Sequence, residues 1–325
     1  MDKYTIVLDI GSQYVSAGLD KDDFFVKIPT VVAVDESTKQ VLSVGVSALN
    51  NAKLNLPNVK LVYPVLEGAV IDVDGLRVVL EELFLRLLPH KTTNYSQIKF
   101  LCVVPCGMIS SDKATIETLL LTMGAKSVNF VETPLADSLQ IFKEFRTNVG
   151  FIVNVGCDCT DFAAVYGDNI VAGCTVYNSS RHLTEAIMDK IRNKYLVQLS
   201  YDEAEELKLN CASLYPNDAS SCTVSGLNMQ NGNSEVVNVT SKELYDTMVQ
   251  FFKNYVNVIN SLFSAVPEQI LPLMKREGIF LCGGGAKLSG LDAFLYSETG
   301  MPVRVSTNCD DTSVMGGLLY EASHN

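Results

Sequence analysis

Basic runs are missing from this chain. Lysine and arginine number 25 against 37 aspartate and glutamate residues, leaving a net charge of −12 over 325 residues. Nucleic-acid binding driven by counterion release needs a basic face, so that class of function is set aside. Proline is sparse, at 10 residues, and no low-complexity tract occurs, which argues against long disordered segments. No uninterrupted apolar stretch approaches the ~18 residues expected of a membrane-spanning helix. The opening "MDKYTIVLDIG" enters a strand-like run at once and reads as structure, not as a leader. Nine cysteines form an odd set with irregular spacing, in a chain far longer than a disulfide-stapled mini-domain. A reduced, cytosolic protein is the expectation.

What is present is apolar content and alternating pattern. With 47% hydrophobic residues the chain can bury substantial cores, and its length suggests two domains of ~100–200 residues each. "IPTVVAVD" and "VLSVG" read as strands. Residues 74–88 place Leu76, Val79, Leu80, Leu83, Phe84, Leu87 and Leu88 on one helical face. "IKFLCVVPCG" is a buried-strand run, and "SSDKATIETLLLTMGA" a helix stopped near Gly124. "SVNFVETP" is a further strand, with a helix after Pro134. Ser200 with Glu203, and Thr240 with Glu243, stand at capping-box spacing. "ASSCTVSGLNMQNGNSEVVNVT" reads as a hairpin turning at "NGN". The whole is an α/β chain.

Two segments resemble each other. "IVLDIGSQYVSAGL" (6–19) and "FIVNVGCDCTDFAA" (151–164) each run from an apolar strand through a polar residue and x-Gly into a second strand. Asp9 falls on Asn154 and Gly11 on Gly156. One copy near the start of each half suggests a duplicated strand-turn-strand unit.

Glycine turns carry the chemistry. In "CGGGAKLSG" (282–290), three glycines between a buried strand and a helix let backbone approach a flat or anionic ligand, because no Cβ intervenes. The turn lacks the Gly-Lys-Ser/Thr of a Walker loop, and Leu288 stands where a dinucleotide fingerprint needs glycine. By itself it is equally a tight connection. "DIGS" (9–12) sets a carboxylate at a strand end beside turn N–H groups, which suits a phosphate with water-held Mg²⁺, though Asp-x-Gly is also an ordinary turn.

Taken in order, "DIGS", "VPCG" (104–107), "VETPLA" (131–136), the turn at 154–161, "EELK" (205–208) and "FLCGGGAKLSGLD" resemble the actin-like ATPases, and among them the bacterial MreB cell-shape filament proteins. "IPTVVAVDESTKQVLSVGVSAL", "VYPVLEGAVIDVDGL" and "ETGMPVRV" are similar to the linking segments, so the resemblance covers residues 4–322. It implies an actin-like two-domain α/β fold with a duplicated β-sheet core and an interdomain nucleotide cleft. Domain I would comprise residues 1–147 with a C-terminal helix, 312–325, packing back on it; domain II would comprise 148–311. The cleft would hold ATP or ADP with Mg²⁺. Asp9 would hold the metal through water, and Ser12, Gln13 and Tyr14 would present main-chain groups to phosphate. Gly156, Cys157, Asp158, Cys159 and Thr160 would form the second phosphate turn. Glu205 and Lys208 would border the adenosine; without the resemblance they read as a solvated helix face with an i,i+3 pair. Gly283, Gly284, Gly285 and Ala286 would pass beneath the nucleotide. Glu132 sits where the family orients the attacking water.

The second turn departs from the pattern. MreB proteins look like Asp-x-Gly-Gly-Gly-Thr-Thr, whereas here Asn154, Val155, Gly156, Cys157, Asp158, Cys159 and Thr160 occupy those positions. A carboxylate ~4 Å from a phosphate charge costs on the order of 4 kcal/mol at an effective dielectric near 20, unless Asp158 points away. A metal reading of "CDC" is weaker, since zinc takes four ligands and the three histidines have no ligand-like spacing near it. A nucleophilic Cys157 lacks a histidine partner. Cys102, Cys106, Cys211 and Cys282 read as small core residues.

The expected function is therefore an MreB-like protein that binds ATP and polymerises with itself, with weak nucleotide affinity or slow hydrolysis. Other MreB-type proteins and the cell-shape machinery are the further partners the resemblance implies. The alternatives are a nucleotide-impaired actin-fold scaffold or modulator of another filament, and a small-molecule kinase of the superfamily. The expected location is cytoplasmic, at the inner face of the membrane if it touches lipid. Membrane contact has weak support: the N-terminus is short, and the loop "PHKTTNYSQ" offers Tyr95 as its one sizeable apolar group.

Overall fold

The computed structural model describes residues 4–20, 24–54, 58–88 and 95–324. Two compact units emerge, Met1–Arg146 with Asp310–Asn325, and Thr147–Cys309.

In the first unit, strands β1 (Thr5–Ile10), β2 (Tyr14–Leu19), β3 (Phe25–Pro29), β4 (Lys99–Val104) and β5 (Ser127–Glu132) form one sheet in the order β3-β2-β1-β4-β5. β1, β2 and β3 pair antiparallel; β1, β4 and β5 pair parallel. Both faces are covered, which explains the nearly unbroken apolar runs of β1 and β4. Ile6 and Leu8 point into a core with α1 (Val73–Leu87) and α2 (Ser110–Thr122). Val7, Leu101 and Val103 point the other way, against α3 (Thr133–Phe145) and the C-terminal helix Thr312–His324. All seven apolar residues of the 74–88 pattern are buried, and the Asp72 carboxylate caps α1 by accepting from the Gly75 N–H at 3.0 Å.

The second unit repeats this plan. Its strands β6 (Val149–Val155), β7 (Thr160–Tyr166), β8 (Asn169–Val176), β9 (Ile279–Cys282) and β10 (Val303–Val305) lie in the order β8-β7-β6-β9-β10. The first three again pair antiparallel and the last two parallel to β6 and β9. Strand for strand, the order and sense match the first unit, so the repeat read from two short segments extends to five strands.

One strand of the sequence reading divides. "IPTVVAVD" supplies the end of β3 and a separate strand, Val32–Asp35, in a small sheet with Val41–Val44 and Val59–Val62. The break falls at Thr30, whose N–H donates to the Gln13 carbonyl at 3.0 Å and whose hydroxyl donates to the Gly11 carbonyl at 2.8 Å. A tertiary clasp on the first turn thus overrides a continuous β pattern. No helix among the described residues is long and apolar enough to cross a membrane. Most of the loop "PHKTTNYSQ" lies outside the described residues, and so does the extreme N-terminus. Tyr95 is buried, edge-on to Phe84 with ring centroids 5.5 Å apart.

Candidate functional site

The two turns have the same build. In the first, Asp9 pairs with Ser16 and Ile10 with Val15, and the Gly11 N–H closes the turn on the Tyr14 carbonyl at 3.0 Å. In the second, Asn154 pairs with Asp161 and Val155 with Thr160, and the Gly156 N–H closes on the Cys159 carbonyl at 3.0 Å. A Cβ on Gly11 would stand 2.7 Å from the Tyr14 carbonyl oxygen, and one on Gly156 would stand 2.7 Å from that of Cys159. Glycine is therefore required by the closing bond itself. The superposed register sets Ser12 on Cys157, Gln13 on Asp158 and Tyr14 on Cys159.

In the first unit, Ser12 is buried while Gln13 and the Tyr14 ring are exposed, with Lys27 Nζ 5.1 Å from the ring centroid. The Gln13 and Tyr14 carbonyls are taken up internally, by Thr30 and Gly11. The Ser12 and Gln13 N–H groups enter no hydrogen bond among the described residues, so donors suited to an anion are available there. Asp9 is the next-to-last residue of β1, half-buried. Glu132 ends β5 and immediately precedes α3. Its Oε1 accepts from the Gly107 N–H at 3.0 Å, and its Oε2 lies 3.8 Å from the Cys106 thiol. Cys106 is thus a neighbour of Glu132 as well as a core residue.

In the second unit, Asp158 points away from the exposed side of its turn. Its side chain is fully buried and ion-paired with Arg181, in the first turn of α4 (Ser180–Tyr195). The Arg181 N–H donates to the Cys157 carbonyl at 2.8 Å and the Ser180 N–H to the Gly156 carbonyl at 3.2 Å. The repulsion expected between Asp158 and a bound phosphate therefore loses its premise. Burial first, and the neighbouring Asp158 carboxylate second, push the Cys157 thiol up to about 12. That is the reverse of what a nucleophile needs. The Thr160 hydroxyl faces inward, donating to the Asn178 carbonyl at 3.1 Å and lying 2.8 Å from the Tyr255 hydroxyl of α6, a helix that spans Ser241–Phe263.

Glu205 and Lys208 ride on α5 (Tyr201–Cys211), which Ser200 caps by accepting from the Glu203 N–H at 3.2 Å. They do form an i,i+3 pair, 2.8 Å apart, but the face is not solvated: Lys208 is 3% exposed. Its ammonium also donates to the Ser180 hydroxyl at 2.6 Å and carbonyl at 3.2 Å, and to the Thr184 hydroxyl at 2.9 Å. Thr184 in turn donates to Glu205 at 2.6 Å. Tyr201 lies against Arg181, 5.8 Å from ring centroid to guanidinium carbon. Gly283 has a left-handed φ of 78°, and a Cβ there would meet the Asn154 side-chain oxygen at 2.4 Å; on Gly285 it would meet Val155 Cγ1 at 2.3 Å. The short turn Gly284–Lys287, with Ala286 buried, therefore packs directly on the end of β6. Within the second unit, the residues at 154–160, 205, 208 and 283–286 converge on α4 and β6. Asp9, Ser12, Gln13, Tyr14 and Glu132 converge at the ends of β1, β2 and β5 in the first. Thr30, Ser180, Arg181, Thr184 and Tyr201 were not anticipated, since each acts through a partner distant in sequence. Among the described residues no group of three or more His, Cys, Asp or Glu side chains could hold a metal ion by itself.

Two five-stranded sheets of identical order, each opening on a glycine-closed hairpin, define the actin-like class of fold. The crystal structure of MreB5 of Spiroplasma citri bound to ADP superposes with a TM-score of 0.91 at 20% identity, covering 99% of this chain and 97% of that one. With AMPPNP bound, the same protein gives 0.92 at 20% identity, covering 100% and 97%. A MamK double helical filament gives 0.83 at 15% identity over 98% and 99%. The chain belongs to the MreB/Mbl family, whose model matches residues 3–325. The cell shape-determining protein Mbl of Bacillus subtilis is 24% identical over 319 residues, 97% of this chain and 95% of the relative.

Proposed function

We propose that this MreB/Mbl protein binds ATP with Mg²⁺, assembles into filaments that serve cell shape, and hydrolyses ATP slowly. The observation that carries the reading is the pair of glycine-closed turns, with the Ser12 and Gln13 N–H groups available for phosphate. MreB5 bound to ADP and to AMPPNP, and the filament of MamK, support nucleotide binding and self-association. The two units, 1–147 with 312–325 and 148–311 in this reading, would each contribute one phosphate turn. Ser12, Gln13 and Tyr14 would hold one side of the phosphates through main chain, and Gly156–Thr160 the other. Glu205 and Lys208 would border the adenosine, with Gly283–Ala286 beneath the nucleotide. Magnesium, held through water at Asp9, would supply charge neutralisation to the phosphates. Glu132, its carboxylate fixed by the Gly107 N–H, would orient the water whose oxygen attacks the γ-phosphorus as the bond to ADP breaks.

Slow turnover follows from Asn154, which removes a carboxylate, from the side chain of Cys157, which stands where the family has glycine and close-approaching backbone, and from Cys159, which replaces a threonine hydroxyl. Asp158 is no longer part of that argument. Other MreB-type proteins and the cell-shape machinery at the inner membrane face are the partners in this reading. A nucleotide-impaired scaffold is the second reading, favoured by Asn154 and by the engagement of Lys208 with Ser180, Thr184 and Glu205. Phosphate release at saturating ATP and Mg²⁺ tests the proposal. A variant combining N154D, C157G and C159T, with Asp158 retained, should turn over faster than the native chain; equal rates would show that the altered turn does not limit hydrolysis.

A further inference from the structure

We infer that Asp158 and Arg181 act as a positioning clamp that holds the second phosphate turn in its anion-receiving conformation without two of the three usual glycines. The inference rests on the nucleotide-binding reading above for its ligand, a nucleoside triphosphate, but its geometry lies wholly within the second unit.

Three bonds tie the turn to the start of one 16-residue helix, α4. The Gly156 carbonyl accepts from Ser180 N–H, the Cys157 carbonyl accepts from Arg181 N–H, and the Asp158 carboxylate pairs with the Arg181 guanidinium. The two carbonyl bonds fix direction. No cis peptide occurs among the described residues, and in a trans peptide the C=O and the following N–H point oppositely. Turning the Gly156 and Cys157 carbonyls toward α4 therefore turns the Cys157 and Asp158 N–H groups away from it, as a pair on the opposite side. A glycine-rich turn reaches such an arrangement easily but also leaves it easily; Cys157, Asp158 and Cys159 restrict the backbone, and the ion pair selects which restricted state persists. The pair also removes the carboxylate from the ligand side, since Asp158 has no exposed side-chain surface.

The clamp extends toward the second candidate element of the site. Arg181 lies against Tyr201, in the first turn of α5, and Ser180 receives the Lys208 ammonium through both its hydroxyl and its carbonyl. The first turn of α4 thus couples the phosphate turn to the helix bearing Glu205 and Lys208. The first unit holds its turn differently: Thr30 holds the Gly11 and Gln13 carbonyls.

A double-mutant cycle on the full chain tests this: D158N, R181Q and D158N/R181Q, with R181K as the conservative variant. For each, the Kd for a fluorescent ATP analogue with Mg²⁺, amide hydrogen exchange of residues 154–162 without nucleotide, and Tm are measured. R181Q leaves the buried Asp158 carboxylate uncompensated and D158N frees the half-buried guanidinium from the turn, so each should weaken Kd about tenfold or more and speed exchange in the turn. The double variant should lose less than the sum, and R181K should recover part of the affinity. Singles that lower Tm while Kd and turn exchange stay native would overturn the clamp and leave the pair as a purely structural contact. If the native chain binds no nucleotide yet the singles speed exchange in the turn, the clamp stands and the nucleotide reading falls. Native Kd and exchange in every variant would sink the clamp alone.

Discussion

Glu132 arrives at the end of β5 with one carboxylate oxygen held by the Gly107 N–H and the other beside the Cys106 thiol. A group so oriented can position a water without a search over rotamers. Replacement E132Q keeps the shape and removes the charge; it should lower the rate of phosphate release by about 10²-fold or more with little change in nucleotide Kd. Equal loss in Kd would assign Glu132 to binding instead. Cys157 allows a pH test of the second turn. Its folded thiol is raised by burial to about 12, against about 8.5 for an unfolded cysteine. Between those values the unfolded chain has released a proton that the folded chain retains, so stability must fall as pH rises. The contribution is complete below the unfolded value and is lost progressively as pH climbs toward the folded one. Native protein should therefore lose Tm faster than C157S between pH 7.5 and 10, a difference that cancels the other buried thiols. Parallel curves would mean that Cys157 is solvated. At this scale the sequence is silent about where side chains point. Asp158 read as a charge beside a phosphate because its partner, Arg181, lies 23 positions on with nothing local to link them. Lys208 read as either an adenosine contact or a solvated residue, whereas burial against Ser180 and Thr184 depends on how α4 and α5 pack.

Elements were the most legible level. The apolar stripe of α1, the stop of α2 near Gly124, and the capping of α5 and α6 follow from short-range rules, and each is present; the Thr240 N–H donates to Glu243 at 2.7 Å as the spacing requires. The hairpin pairs Ser221–Asn228 with Ser234–Thr240 around Gly232. What escaped the pattern is whatever a distant contact decides, as where Thr30 cuts "IPTVVAVD" in two. The close approach of the C-terminal helix to α3 is another such case. A Cβ on its Gly316 would stand 1.8 Å from the Ala136 carbonyl oxygen of α3, so the two helices approach at a distance only glycine permits. The Ser313 hydroxyl donates to buried Asp137 at 2.8 Å across the same contact. G316A should thus destabilise the chain by about 1–3 kcal/mol or more, although alanine is the better helix former. Urea unfolding midpoints for the two proteins check this; a neutral or stabilising effect would mean the helices can separate without cost.

For the whole molecule, the duplicated sheet plan goes with membership of the MreB/Mbl family. The duplicated hairpin was visible in the sequence because Asp9 and Asn154, and Gly11 and Gly156, keep their spacing. The remaining three strands of each sheet were not, since β9 and β10 share only an apolar character with β4 and β5. In the proposed function assembly and phosphate chemistry would rest on separate features, so association is not expected to depend on fast turnover. The most direct measurement is ultracentrifugal pelleting of the full chain over a range of protein concentrations, with Mg²⁺ and ATP and without nucleotide, followed by electron microscopy of the pellet. The account predicts a critical concentration above which protein pellets as filaments, lower with ATP than without. A chain that remains monomeric in the supernatant at every concentration, with and without nucleotide, would contradict it.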